Sequence, residues 1–166
     1  MSKNRFISTT ISNIPLKGFV QSDGGTGIGS DVDFLSFNLI DFTGYEDYLL
    51  FVSGHTAISE DTNSSDTTRL RIILRDDTTG NEQIICGSRQ GIGATGTSWT
   101  GDTLAYMSTS GYFALTSAYT TNNCTLRLNG GIDSPAGQFH WGDQSGYNNF
   151  DGENFGASLY YILYKQ

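Results

Sequence analysis

Hydrophobic positions recur with a period of two along most of the chain, not with the 3.6-residue period of a helix. Leu70, Ile72 and Leu74 alternate with Arg69, Arg71 and Arg75, broken only by Ile73. Cys124, Leu126 and Leu128 alternate with Thr125, Arg127 and Asn129, and Leu35, Phe37 and Leu39 with Ser36 and Asn38. Such rows predict strands with one buried face. Residues 48–52 and 159–164 are apolar at every position, the pattern of strands covered on both sides. Shorter strand candidates lie at 6–11, 16–20, 82–86, 104–107, 112–116 and 138–141. No segment carries a sustained helical stripe, which limits helix to a turn or two.

Punctuation between these runs sets the connections. Residues 75–81, Arg-Asp-Asp-Thr-Thr-Gly-Asn, predict a hairpin loop, and Asn129-Gly130-Gly131 predicts a second turn. Loops are expected at 23–31, 59–68, 87–102 and 142–156, which are glycine-rich, or polar and acidic. Residues 1–15 are polar, end in Ile14-Pro15 and predict an extended N-terminal arm. The remainder, 16–166, reads as a single domain. Many short strands separated by turns predict an all-β fold, an antiparallel β-sandwich of jelly-roll-like layout.

Composition narrows the function classes. Charged residues are 16% of the chain, against about 25% in an average soluble domain. With 17 acidic residues against 9 lysines and arginines, the net charge is -8. That balance leaves no electrostatic footprint for nucleic acid. Ten phenylalanines, nine tyrosines and two tryptophans supply large side chains for one core and argue against disorder. No apolar stretch approaches the ~20 residues that span a bilayer, and Met1 to Phe6 are not followed by the apolar run of a signal peptide. Cys86 and Cys124 are far apart and embedded in apolar rows. They read as small buried thiols rather than a disulfide framework or a zinc site. Without a signal peptide, the sequons at Asn63 and Asn123 are expected to be chance matches.

Catalytic motifs fail on inspection. Gly24 to Ser30 lacks the last glycine of a dinucleotide loop and is followed by a strand pattern instead of a helix. Thr100 breaks a nucleophile elbow around Ser98, and nothing in the spacing selects His55 or His140 as a base. No enzyme activity and no resident cofactor are expected. Calcium is the one cation the sequence could hold: Glu60, Asp61 and Asp66 cluster in one loop, Asp143, Asp151 and Glu153 in another, though neither has EF-hand spacing.

Three features point instead to contacts. Arg69, Arg71, Arg75 and Arg127 concentrate four of the nine cations on two strand faces, as a surface for an acidic partner or as local ion pairs. Trp99, Trp141, Tyr147, Phe150 and Phe155 could stack on sugars, anchor an interface or fill the core. In the last strand, Tyr160, Ile162 and Tyr164 form one apolar face and Leu159, Tyr161 and Leu163 the other. A neighbouring subunit on the first face would explain both; so would a loop lying over it.

The polar arm, the run YLLFVSGHT, the hairpin TRLRIILRDDTTGNEQIICG, the segment GYFALTSAY and the closing GASLYYILYKQ resemble the small jelly-roll virion proteins of tailed phages. These are capsid decoration (cement) proteins and fibre tips, whose trimeric forms are similar in layout to the C1q and tumour-necrosis-factor fold. The resemblance implies a structural protein located in the virion, with a major capsid protein or another virion protein as partner. It implies self-association, most readily as a trimer. Arg5, Phe6, Ile7, Ile11 and Ile14 of the arm, Arg69 and Arg71, and the Tyr160, Ile162 and Tyr164 face are the expected contacts. The alternative is a fibre-tip module that binds a receptor glycan through Trp99, Trp141 and Tyr147.

Overall fold

The computed structural model describes residues 17–29, 31–60, 67–91, 103–133, 138–142 and 156–165. The expected arm, with its strand candidate at 6–11, lies outside the described residues. The described chain forms β1 (Lys17–Ser22), β2 (Gly25–Ile28), β3 (Val32–Asp41), β4 (Tyr48–Glu60), β5 (Thr67–Asp76), β6 (Glu82–Gly91) and β7 (Thr103–Ala114). A helical turn, α1 (Ser117–Thr120), leads to β8 (Asn123–Ile132), β9 (Gln138–Trp141) and β10 (Ala157–Lys165).

All pairings are antiparallel and fall into two sheets. In the first, β7 runs along one side of β4 from Leu49↔Ala114 to Glu60↔Thr103. The other side of β4 meets β10 over Thr56 to Tyr48 and then β9 over Ile58 to Glu60. β1 pairs with β10 and β2 with β9. The sheet therefore has four lanes: β1 and β2, then β10 and β9, then β4, then β7. The second sheet has the order β3-β8-β5-β6. With β1 and β2 counted as one lane and β9 and β10 as another, successive lanes alternate between the sheets except at the β5–β6 hairpin, and the last lane returns beside the first. This is the double Greek key of a jelly roll, so the expected all-β sandwich is the fold observed.

The core lies between the sheets. Leu50, Val52 and Ile58 of β4 and Leu159, Tyr161 and Leu163 of β10 point inward and are buried. Opposite them sit Leu70, Ile72 and Leu74 of β5 and Leu126 and Leu128 of β8. At one end Phe34 stacks on Trp141 at 4.9 Å and meets Phe139 edge-on at 6.1 Å. At the other, Phe37 packs edge-on against Tyr161 at 5.2 Å.

The glycine-rich segment expected as a loop at 23–31 instead contains β2. An added Cβ at Gly25 would lie 2.7 Å from the Trp141 ring, and one at Gly27 2.6 Å from the Phe139 ring. The glycines let the strand backbone lie flat on the two aromatic rings it pairs beside. Likewise Asn129-Gly130-Gly131 is not a turn but part of β8, where a Cβ at Gly130 would stand 2.2 Å from the carbonyl oxygen of Arg69. β6 runs on to Gly91, past the loop start expected at 87, and the candidates at 104–107 and 112–116 are one strand. The hairpin at 75–81 is as expected: Asp76 Oδ1 accepts from the Thr78 amide at 2.8 Å, and Gly80 takes φ 74°.

Gly130→Ala forces a methyl group into backbone that cannot yield. It should destabilise the domain by about 3 kcal/mol or more, measured by urea unfolding. An unchanged midpoint would show that β8 and β5 can separate locally.

Candidate functional site

The two outer faces of the sandwich have opposite chemistry. On the β3-β8-β5-β6 sheet, side chains at alternate positions form a charged network. Arg69 donates through Nε to Asp133 Oδ1 at 3.0 Å and through Nη2 to the same oxygen. Arg71 Nη2 donates to Asp31 Oδ1 at 2.7 Å and Asn129 Oδ1 at 2.6 Å. Arg127 bridges Asp33 at 3.0 Å and Glu82. Asn129 donates to Asp33 at 2.7 Å and ties the two bridges together. Burial alone would lower the pKa of Arg127, but the Asp33 and Glu82 carboxylates outweigh it and hold it above the ordinary value. The arginine row is thus paired with the chain's own carboxylates, the second of the two readings open from sequence.

The outer face of the β1-β10-β4-β7 lanes is apolar. Tyr160 stands between Phe19 of β1 and Ser53 of β4. In the next row Ile162 neighbours Phe51, which in turn neighbours Tyr112 of β7. Tyr164 pairs with Leu49, and Leu49 with Ala114. Phe19 is 63%, Tyr112 73% and Tyr164 52% exposed. Among the described outward positions of these strands, Lys17 alone carries a permanent charge. Strict alternation in β10 creates this face: burying Leu159, Tyr161 and Leu163 turns Tyr160, Ile162 and Tyr164 out. The sequence singled out these three but missed Phe19, Leu49, Phe51 and Tyr112, which only strand register brings beside them.

The other candidates divide. Trp141 is 8% exposed and stacked on Phe34 beneath β2, so it belongs to the core and cannot serve as a sugar platform. Trp99, Tyr147, Phe150, Phe155 and Ser98 lie outside the described residues, as do Arg5, Phe6, Ile7, Ile11 and Ile14 and the side chains of both acidic loops from Glu60 to Asp66 and Asp143 to Glu153. Among the described residues no group of three His, Cys, Asp or Glu side chains could hold a metal ion. His55 Nδ1 lies 2.9 Å from Ser158 Oγ on the apolar face, and among the described residues no carboxylate orients the imidazole. Cys86 and Cys124 are both free thiols. Burial, reinforced by the charges of Asp76, Asp77 and Asp41, pushes the Cys124 thiol up to about 12, so it is inert as a nucleophile.

One carboxylate organises the β5–β6 hairpin and ties it to the link between α1 and β8. Asp76 Oδ2 accepts from the Thr79 hydroxyl at 2.6 Å and from Asn122 Nδ2 at 3.1 Å. The Thr79 bond in particular holds Asp76 below its ordinary value of 3.8, against the opposing effect of burial. A lowered carboxylate pKa stabilises the fold above the unfolded-state value and loses that contribution as the pH falls through the folded one. The urea midpoint should therefore fall as the pH drops below about 4, and Asp76→Asn should flatten that dependence while lowering the midpoint at pH 7. Equal pH dependence in the two proteins would exclude Asp76 as its source.

No protein-family model and no curated protein matches the chain. Among solved structures, it is similar to the N-terminal CBM22-1–GH10 modules of endo-1,4-beta-D-xylanase 10B from Clostridium thermocellum, complexed with xylohexaose, at 11% identity and a TM-score of 0.40. The match covers 87% of this chain and 24% of that one.

Proposed function

We propose that the protein is a structural component of a phage virion, a decoration protein that assembles with copies of itself and reinforces the shell. The observation that carries the self-association is the apolar face across β1, β10, β4 and β7. Taking about 200 Å² for a whole aromatic side chain, Phe19, Tyr112 and Tyr164 alone leave roughly 400 Å² of ring surface in water. The half-buried Leu49, Phe51, Tyr160 and Ile162 extend this toward the roughly 800 Å² per partner of a standard interface. An apolar patch of that size is large for a monomer. A second copy is the occupant that fits best: each copy brings the same nearly uncharged ring surface, and neither has to bury the charge network of the opposite sheet. The trimer that the phage resemblance implies is the form we favour: around a threefold axis each copy would offer one part of this face to one neighbour and another part to the next.

The virion setting rests on the resemblance of the chain to small phage jelly-roll proteins and on the jelly-roll strand order, which suits a compact shell-bound domain. The arm, including Arg5, Phe6, Ile7, Ile11 and Ile14, is the proposed anchor to the major capsid protein.

Light scattering should give a mass near three times 18.0 kDa for the wild type. Tyr112→Ser combined with Phe19→Ser should yield a folded monomer, because both residues are more than half exposed and contribute little to the core. A wild type that stays monomeric at every concentration would overturn self-association. Separately, deletion of residues 2–14 should abolish binding to shells while leaving the circular dichroism of the domain unchanged; shells that still bind the truncated protein would remove the arm from the mechanism.

A further inference from the structure

The charged sheet carries a cleft bordered by incompletely paired arginines. Over the β5–β6 ladder an open cleft of about 470 Å³ is lined by Arg69, Arg71, Ile84, Gly87, Ser88 and Arg89. Three guanidinium groups thus border it, in a chain with only nine lysines and arginines. Gly87 faces Arg71 across the ladder and Arg69 faces Arg89. Lacking a side chain, Gly87 leaves the dent that the arginines surround.

Donors outnumber acceptors here. Asp133 is the carboxylate shared by Arg69 and Arg89, but Arg69 takes the short contacts. Arg89 Nη2 reaches Asp133 Oδ2 only at 3.7 Å, beyond hydrogen-bond distance, and its side chain is 65% exposed. Arg71 spends Nη2 on Asp31 and Asn129, while its Nε is buried and has no partner among the described residues. Among the described residues two acids, Asp133 and Asp31, thus face three arginines, an excess of one positive charge beside the cleft. Ile84, 49% exposed, adds an apolar wall.

We propose that this cleft binds a carboxylate-bearing ring of monosaccharide size, a sugar acid. A planar carboxylate matches the donor fork of Arg89, which is free to turn toward it. The C–H face of a pyranose would lie on Ile84. The volume falls within the range of small-ligand sites and far exceeds what a single acidic side chain would fill. The cleft is on the sheet opposite the proposed self-association face, so the ligand stays accessible in an assembled form and the two ideas fail separately.

The test is titration of the full-length protein with D-glucuronate, with D-glucose and N-acetylglutamate as controls, read by calorimetry or amide chemical shifts. Glucuronate should bind saturably at one site per chain, more weakly as salt rises, and glucose should not bind. Arg89→Gln should weaken binding about tenfold and Ile84→Asp should abolish it, both with unchanged thermal midpoints. Tyr112→Ser should bind as the wild type does. Equal binding of glucose, or unchanged affinity in Arg89→Gln, would overturn the proposal. N-acetylglutamate binding as tightly as glucuronate would show that the cleft reads a carboxylate without the ring, and would overturn the assignment to a sugar acid. Absence of saturable binding by glucuronate would overturn it outright.

Discussion

The pairing of β10 with β4, from Ala157↔Thr56 to Lys165↔Tyr48, is the contact on which the rest of the structure depends. β4 carries β7 along its other side, and β10 carries β1, so this one register places every lane of the first sheet. Side chains in a strand alternate strictly, so a slip of one residue would exchange the inner and outer rows. Leu159, Tyr161 and Leu163 would then leave the core and Tyr160, Ile162 and Tyr164 would enter it. The inner row meets Leu50 and Val52 of β4 and the aromatic ring of Phe37 from the other sheet. Gly18 narrows the choice further: its backbone lies so close to the Tyr161 ring that a Cβ would sit 2.4 Å from it. The apolar outer face is therefore a consequence of how the core closes, and its composition is what the sequence was free to choose.

On the second sheet that choice went the other way. β5 and β8 put arginine at Arg69, Arg71, Arg75 and Arg127 and answer it with Asp31, Asp33, Asp77, Glu82 and Asp133 from neighbouring strands and loops. Each exposed pair is worth little in stability, ~0–1 kcal/mol. Their joint effect is on specificity: partners from β3, β6 and the β8 end must all arrive in register for the bridges to form. The same geometry blunts the middle of the sheet as a sticky surface, because Arg69, Arg71 and Arg127 are engaged with the chain's own carboxylates.

The strand pattern made most of this legible. The alternating rows at 69–75 and 124–129, the fully apolar runs at 48–52 and 159–164, and the hairpin at 75–81 all appear where period and turn chemistry put them. Errors gathered at glycine. Glycine is both the residue of turns and the residue of close approach, and only the partner distinguishes the two roles. Trp141 and Phe139 beside β2, and the Arg69 carbonyl beside Gly130, are such partners, and all three are remote in sequence. For Trp141 the sequence left sugar stacking, an interface and the core open, and only β2 laid across the ring decides for the core. The apolar face was legible only along β10, because the residues that widen it come from β1, β4 and β7. Pairing between distant strands sets those neighbours.

The contrast between the two outer faces orients the molecule in any assembly. Covering the charged sheet with a second apolar surface would strip water from guanidinium and carboxylate groups whose mutual attraction already exists in the monomer, so the cost would have no matching gain. Covering the aromatic sheet removes ring surface from water, gains roughly 25 cal/mol per Å² before association costs, and has only Lys17 to accommodate, at the first position of β1 where it can reach solvent. His55 and Ser158 sit at the far end of that face from Tyr164 and hydrogen-bond to each other, adding one polar spot there. An assembled form therefore turns the first sheet inward and the second outward. The arginine cleft of β5 and β6 would then face solvent on each copy of the proposed assembly.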